Sequence, residues 1–129
     1  MLYREVCDSR LAWDKALSGV ALDKWNAWKK ILPDKVEIPR SLAQHQERIV
    51  GIDLHGFGDA SNLGVASAVF AVIRQAQGAQ QSLVTAKLHL AKQELTIPRQ
   101  ELVSTHMTAN LISNVKEALT GFPDRKSVV

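Results

Sequence analysis

The chain is short of most residues that announce a chemistry on their own. It has one cysteine in 129 residues, Cys7, so no internal disulfide can form and no second thiolate is at hand for a zinc knuckle. No apolar run approaches the roughly 20 residues of a membrane span. Arg4, Glu5, Asp8, Arg10 and Asp14 interrupt anything resembling a secretory leader, so the expectation is an intracellular protein, cytoplasmic or nuclear, with no membrane partner. His45, His55, His89 and His106 include no pair at i,i+4 spacing and have no attendant cysteines, which argues against zinc. Ser61 lacks the Gly-x-Ser-x-Gly elbow, and there is no Gly-x-x-x-x-Gly-Lys phosphate loop. Charge of one sign is lacking too. The net charge is +3, with nine basic and seven acidic residues up to Arg48 and seven and six beyond it. That permits a polyanionic partner without requiring one.

What remains is a single-domain length with 46% apolar and 22% charged residues, enough for one real core. The chain opens with two helical pieces. In the second, Ser18 is a plausible N-cap, and Leu22, Trp25, Trp28 and Leu32 recur at helical spacing until Pro33. Trp25 and Trp28 lie among Lys24, Lys29 and Lys30, a mixture suited to stacking on single strands. Burial is the commoner fate of tryptophan and is the expectation here. Residues 33–48, with Pro33 and Pro39 and little periodicity, read as a linker.

The period then changes. Val50, Ile52 and Leu54 alternate with Gly51, Asp53 and His55, which predicts a strand with one apolar face, directly followed by Asp59 in the turn Asp59-Ala60-Ser61-Asn62-Leu63-Gly64. Val65 to Ile73 predicts a second, well-buried strand, Arg74 to Gln81 a hairpin loop, and Ser82 to Leu90 a third strand, together a meander. Thr96 and Pro98 open a long helix with a stripe of Val103, Met107, Leu111, Val115 and Leu119, closed by Gly121 and Pro123. Ser127-Val128-Val129 reads as the first step of a further strand, parallel and reached by a crossover, so a sheet cut short is expected.

The best clue to chemistry is a pair of carboxylates, Asp59 at the strand end and Glu101 in the first turn of the long helix. A turn residue and a dipole-complementing acid are their ordinary readings. Together they suit an oxygen cage for divalent cations, with both side chains on one side of the sheet. Asp53 shares the face of His55, Phe57 and Asp59 on a regular strand, but it lies roughly 20 Å upstream, too far to share a metal. His106, five residues after Glu101, faces elsewhere.

Three segments in order, Leu54-His55-Gly56-Phe57-Gly58-Asp59-Ala60-Ser61, Ala86-Lys87-Leu88 and Leu95-Thr96-Ile97-Pro98-Arg99-Gln100-Glu101-Leu102, resemble the ribonuclease H region of Bel/Pao-type retrotransposon polyproteins. Upstream, Leu11-Ala12-Trp13-Asp14 and Trp25-Asn26-Ala27-Trp28 resemble the segment that joins the reverse transcriptase to it. The resemblance implies an α+β, ribonuclease H-like fold: a three-stranded antiparallel meander, then a helix, with the fourth strand missing. It places a helical connection and linker at residues 1–48 and a partial ribonuclease H-like domain at 49–129. It implies a nuclease that cleaves the RNA strand of RNA-DNA hybrids with magnesium, Asp59 matching the family's first-strand aspartate and Glu101 its helix glutamate.

The hybrid would be held through its backbone and minor-groove hydroxyls rather than by sequence. The family's third and fourth acids would fall beyond Val129. With two carboxylates, Mg2+ should bind weakly and this chain alone should be inactive or nearly so. Two other expectations stand beside this. A decayed or co-opted module would bind hybrid or protein without cleavage, and an open sheet edge would favour association. An aspartic peptidase, suggested by the label Pao retrotransposon peptidase and by Asp59-Ala60-Ser61, fits less well, because Ser61 stands where such a loop needs glycine and a second aspartate loop is required.

Overall fold

The computed structural model describes residues 2–38, 41–43 and 47–120, and the backbone of 125–128. Gly121, Pro123 and Asp124 lie outside the described residues. The chain divides into two compact units, Met1–Ile38 and Pro39–Val129.

In the first unit, α1 (Leu2–Asp8) and α2 (Gly19–Lys30) contain no buried residue, and Ser18 at the N-cap of α2 makes no side-chain hydrogen bond. The helices are tied by Lys24 Nζ donating to Glu5 Oε2 at 2.6 Å. That hydrogen bond, with the charge of Lys24, holds the Glu5 carboxyl below its ordinary value. The expected burial of the tryptophans does not occur: Trp25 and Trp28 are 36% and 45% exposed. Two short helices supply no opposing layer, so the indoles cover each other, with ring centroids 5.1 Å apart, and Lys29 Nζ lies 5.7 Å from the Trp25 centroid.

The second unit is a sheet with one helix across it. β1 (Gly51–Ala60), β2 (Gly64–Gln75) and β3 (Gly78–Leu90) form the antiparallel meander, α3 (Ile97–Ala118) follows, and β4 (Arg125–Val128) pairs in parallel with β1. The order across the sheet is β3-β2-β1-β4. This is the expected α+β arrangement with one correction: the fourth strand is present as four residues, set against Ile52–His55 of β1. The strands are also longer than their apolar patterns. β1 continues through Gly56, Phe57, Gly58 and Asp59, which pair with Val69, Ala68, Ser67 and Ala66. The hairpin after β2 closes at Gly78, whose φ of +145° suits glycine. A register shift at Val69/Phe70 leaves Val84 as the extra residue of β3.

Strand alternation sends Ile52 and Leu54 of β1 and Val69, Ala71 and Ile73 of β2 to one face, where they form the core with Ile112 and Val115 of α3. Leu42 and Ala43, in the stretch read as linker, and Ile49 just after it pack against that core. The expected helix stripe is displaced by about one residue. The buried positions are Gln100, Ser104, Met107, Thr108, Ile112 and Val115, whereas Val103 is 44% exposed. The cause is close approach. A Cβ on Gly56 would overlap Ile112 Cδ1 and sit 2.6 Å from Thr108 Cγ2, and one on Gly58 would overlap Ser104 Oγ and sit 2.6 Å from Thr108 Oγ1. Over Gly58 the helix side of that contact is Ser104 and Thr108, and over Gly56 it is Thr108 and Ile112.

Gly56→Val should therefore force α3 away from β1 and destabilise the unit by about 1–3 kcal/mol, the usual cost of overpacking. In thermal unfolding this would lower Tm by several degrees. An unchanged Tm would show that α3 does not rest on this strand.

Candidate functional site

Asp59 is the penultimate residue of β1, exposed, with Ala66 as its partner on β2. Its neighbour Gly58 faces α3, and Gly58 pairs with Ser67, whose buried hydroxyl lies 2.8 Å from Thr108 Oγ1 on that helix. Alternation turns Asp59 to the opposite face. There, with Phe57, Ala66, Ala68, Ala86 and Leu88, it lines an open groove of about 390 Å³ with an alanine floor. Phe57 meets Phe70 edge-on at 5.8 Å on the same face.

Glu101 is exposed in the first turns of α3, and the helix start is held firmly. Gln100 N–H donates to Thr96 O at 3.0 Å, and the buried Gln100 side chain donates from Nε2 to Lys92 O at 3.2 Å and Leu95 O at 2.9 Å. One turn on, Ser104 Oγ donates to Ala66 O at 3.1 Å and Thr108 Oγ1 donates to Ser104 O at 2.9 Å. With the Thr108 proton so used, Ser67 is the donor in the Ser67–Thr108 bond. This run of hydroxyls fixes the amino-terminal half of α3 over Gly58 and Ala66.

Both acids thus flank one contact. Ser104 touches the neighbour and the ladder partner of Asp59, and Glu101 lies three residues, about 4.5 Å of helix axis, before Ser104. Asp59 is on the face away from α3, and Glu101 is carried by α3 itself. Any common ligand must approach around the carboxyl end of β1. Among the described residues no three His, Cys, Asp or Glu side chains are grouped closely enough to hold a metal.

The other candidates resolve simply. Asp53 is engaged by Arg74 Nη2 at 3.3 Å. Ser61 closes the β1–β2 turn, its Oγ accepting from Leu63 N and Gly64 N at 3.3 Å each. Asp59 and Ala60 belong to the β1 ladder and not to a loop of the peptidase kind. His45 lies outside the described residues. His89 and His106, distant in sequence, line one cavity with Lys87, Asn110 and Asn114. No local spacing signals that grouping, because its members come from two elements that meet only in the fold.

Residues 1–128 match the family described as the Pao retrotransposon-like RNaseH-like domain. The chain belongs to this family. Searches of curated proteins and of solved structures return no match. The Pao RNaseH-like match runs through α1 and α2 as well as the sheet, so the family's pattern covers both units. It agrees with the α+β topology of the second unit. No helix among the described residues is long and apolar enough to cross a membrane.

Two substitutions separate scaffold from site in this Pao RNaseH-like chain. Thr108→Val keeps the shape but leaves the buried Ser67 hydroxyl without its acceptor, and it should cost about 1–3 kcal/mol. Asp59→Asn, on an exposed carboxylate, should stay within about 0.5 kcal/mol of the parent. Denaturant midpoints measure both, and a large loss for Asp59→Asn would make Asp59 a structural residue.

Proposed function

We propose that the carboxyl end of β1, with Asp59 and Glu101, is the cation-binding centre of a metal-dependent nuclease that hydrolyses RNA in RNA-DNA hybrids, within a retrotransposon reverse transcriptase/ribonuclease H polyprotein. The observation that carries this reading is the Pao RNaseH-like family match over residues 1–128. Its support within the fold is positional. β1 is the branch strand of the sheet, leaving to β2 on one side and rejoined through α3 by the parallel β4 on the other. Crevices beyond the carboxyl ends of strands at such branch points are where open sheets with helical crossovers bind ligands.

Asp59 and Glu101 are the residues that would hold Mg2+. Their chemistry fits an ion that dehydrates reluctantly and is commonly held by one or two carboxylates plus substrate phosphates. When bound, the ion supplies activation of a water and neutralisation of charge on the leaving oxygen. The protein's own part is placement. α3, pinned over Gly58 and Ala66, sets where Glu101 stands, and the ladder sets Asp59. Both carboxylates are exposed, as a site for a duplex too large to enter a pocket requires.

Two acids make this a weak centre, so the 129-residue chain alone should cleave hybrid slowly or not at all. A fluorescent RNA-DNA hybrid assay with Mg2+ tests this directly. Little turnover is expected from the chain. In the parent polyprotein, Mg2+-dependent cleavage should fall on the order of 10²–10³-fold with Asp59→Asn. Cleavage by the parent that ignores both Asp59 and Glu101 would end the proposal, and hybrid binding without cleavage by the parent would favour a co-opted binding module.

A further inference from the structure

β2 is apolar on both of its faces. Val65, Val69, Ala71 and Ile73 are buried on the face that α3 crosses, whereas Ala66, Ala68, Phe70 and Val72 on the other face are only half-buried. A strand that is apolar on both sides ordinarily has a layer against each. The neighbouring strands continue the uncovered face: Leu83 and Leu88 of β3, the ladder partners of Phe70 and Ala66, are 54% and 61% exposed, and Phe57 of β1 is 56% exposed.

The charges on this face are few and stand at its two ends. At one end Asp59 of β1 pairs with Ala66 of β2. At the other Arg74 of β2 pairs with Gly51 of β1, and its guanidinium lies across that glycine, Nη2 2.9 Å from the position a Cβ would take. Midway, four residues from Asp59 and four from Gly51, His55, Phe70 and Leu83 form one row across the three strands. An acid and a base equally distant from a middle row make a self-complementary pattern. A two-fold axis along that row, between two copies laid face to face, reverses the strand direction and sets Asp59 of each copy over Gly51 and the Arg74 guanidinium of the other. Phe70 and Leu83 meet their own counterparts at the axis, and Phe57 comes over the other copy's Asp53–Arg74 pair, where a guanidinium suits an aromatic ring. An axis along the strands would instead set Arg74 over Arg74 and leave Asp59 facing Leu88, and like charges in juxtaposition count against it.

We propose that the uncovered face of the sheet is a self-association surface, its occupant a second copy of this chain packed sheet on sheet with strands antiparallel and joined at both ends by Asp59–Arg74 pairs. Stacked sheets lie about 10 Å apart, a gap that an aspartate and an arginine reaching from opposite sides can close. Arg74 already donates to Asp53 Oδ1 at 3.3 Å, and its five N–H groups leave donors for a second carboxylate. The face runs ~26 Å along the strands from Asp59 to Gly51 and ~14 Å across three of them, a plane of about 400 Å². A stable interface covers about 800 Å² per partner, so this pair exchanges with monomer. The surface does not depend on the nuclease reading. In the pair a guanidinium occupies Asp59, so a cation there and the second copy exclude each other.

Sedimentation equilibrium of the full 129-residue chain, from about 1 μM to about 1 mM, tests the pairing. Monomer should pass to dimer with concentration, and salt should weaken the dimer. Leu83→Lys, which brings two ammonium groups together at the axis, should weaken it by on the order of tenfold. Asp59→Arg and Arg74→Asp should each do so to a similar degree, since each turns two attractive pairs into two repulsive ones. An equimolar mixture of those two variants should recover most of the dimer, because each supplies at both ends the charge that the other lacks. All three side chains are exposed, and circular dichroism checks that each variant is folded. A chain monomeric throughout the range, a dimer indifferent to Leu83→Lys, or a mixture of charge variants no stronger than either alone would overturn the proposal.

Discussion

The separation between α3 and β1 is set by two residues with no side chains. Gly56 and Gly58 leave no room for a Cβ beneath Ile112, Thr108 and Ser104, so the helix lies against the strand's backbone rather than on a layer of side chains. Over Gly58 the places at that range are taken by the small hydroxyl residues Ser104 and Thr108. Their polar atoms are not left idle: Ser67, Thr108, Ser104 and the Ala66 carbonyl form a continuous run of hydrogen bonds. Buried hydroxyls are tolerable when every member is satisfied, and such a run specifies one orientation of the helix more sharply than interchangeable methyl groups can. Farther along α3, where Ile112 and Val115 meet Leu54, Val69 and Ala71, ordinary apolar packing resumes.

This one contact governs the arrangement of the acids. Because the glycines occupy the even positions of β1, the odd positions, Asp53, His55, Phe57 and Asp59, fall on the other face by alternation alone. The strand buries Ile52 and Leu54 on one side and presents Asp59 on the other. Glu101 comes with the helix, from the covered side. A ligand shared between them belongs at the strand's end, where the two faces meet, and that is also where a parallel neighbour of β1 is directed.

Much of this was legible in the residues. The alternation of Val50, Ile52 and Leu54, the turn chemistry of Ser61 to Gly64, and Thr96 with Pro98 before a long periodic stretch indicated the meander and the helix in the right order. The ends of strands were not legible. The apolar alternation stops at Leu54, and Gly56-Phe57-Gly58 has weak strand propensity of its own, yet β2 pairs with it and α3 crosses it. The helix stripe erred for the same reason: Val103, Met107 and Leu111 are the hydrophobic choices, but Ser104 and Thr108 are the small ones, and the tertiary approach selects for size. Trp25 and Trp28 read as core because large aromatics usually find an opposing surface, and two isolated helices within their own unit offer none.

The histidines show the limit from the other direction. Spacing along the chain speaks only to sites built on one helix. It had no means to bring His89 on an edge strand beside His106 on a crossing helix, since that proximity is created by the β2–β3 register together with the pitch of α3. The consequence for electrostatics is local. A net charge of +3 divided almost evenly along the chain cannot orient a polyanion by its bulk field. What the fold does is sort the charges, with exposed carboxylates at the end of β1 and a lysine among imidazoles and amides on the same rungs two strands away. Because Asp59 and Lys87 stand on opposite faces of the sheet, the two groups of charge are separated by its thickness as well as by its width.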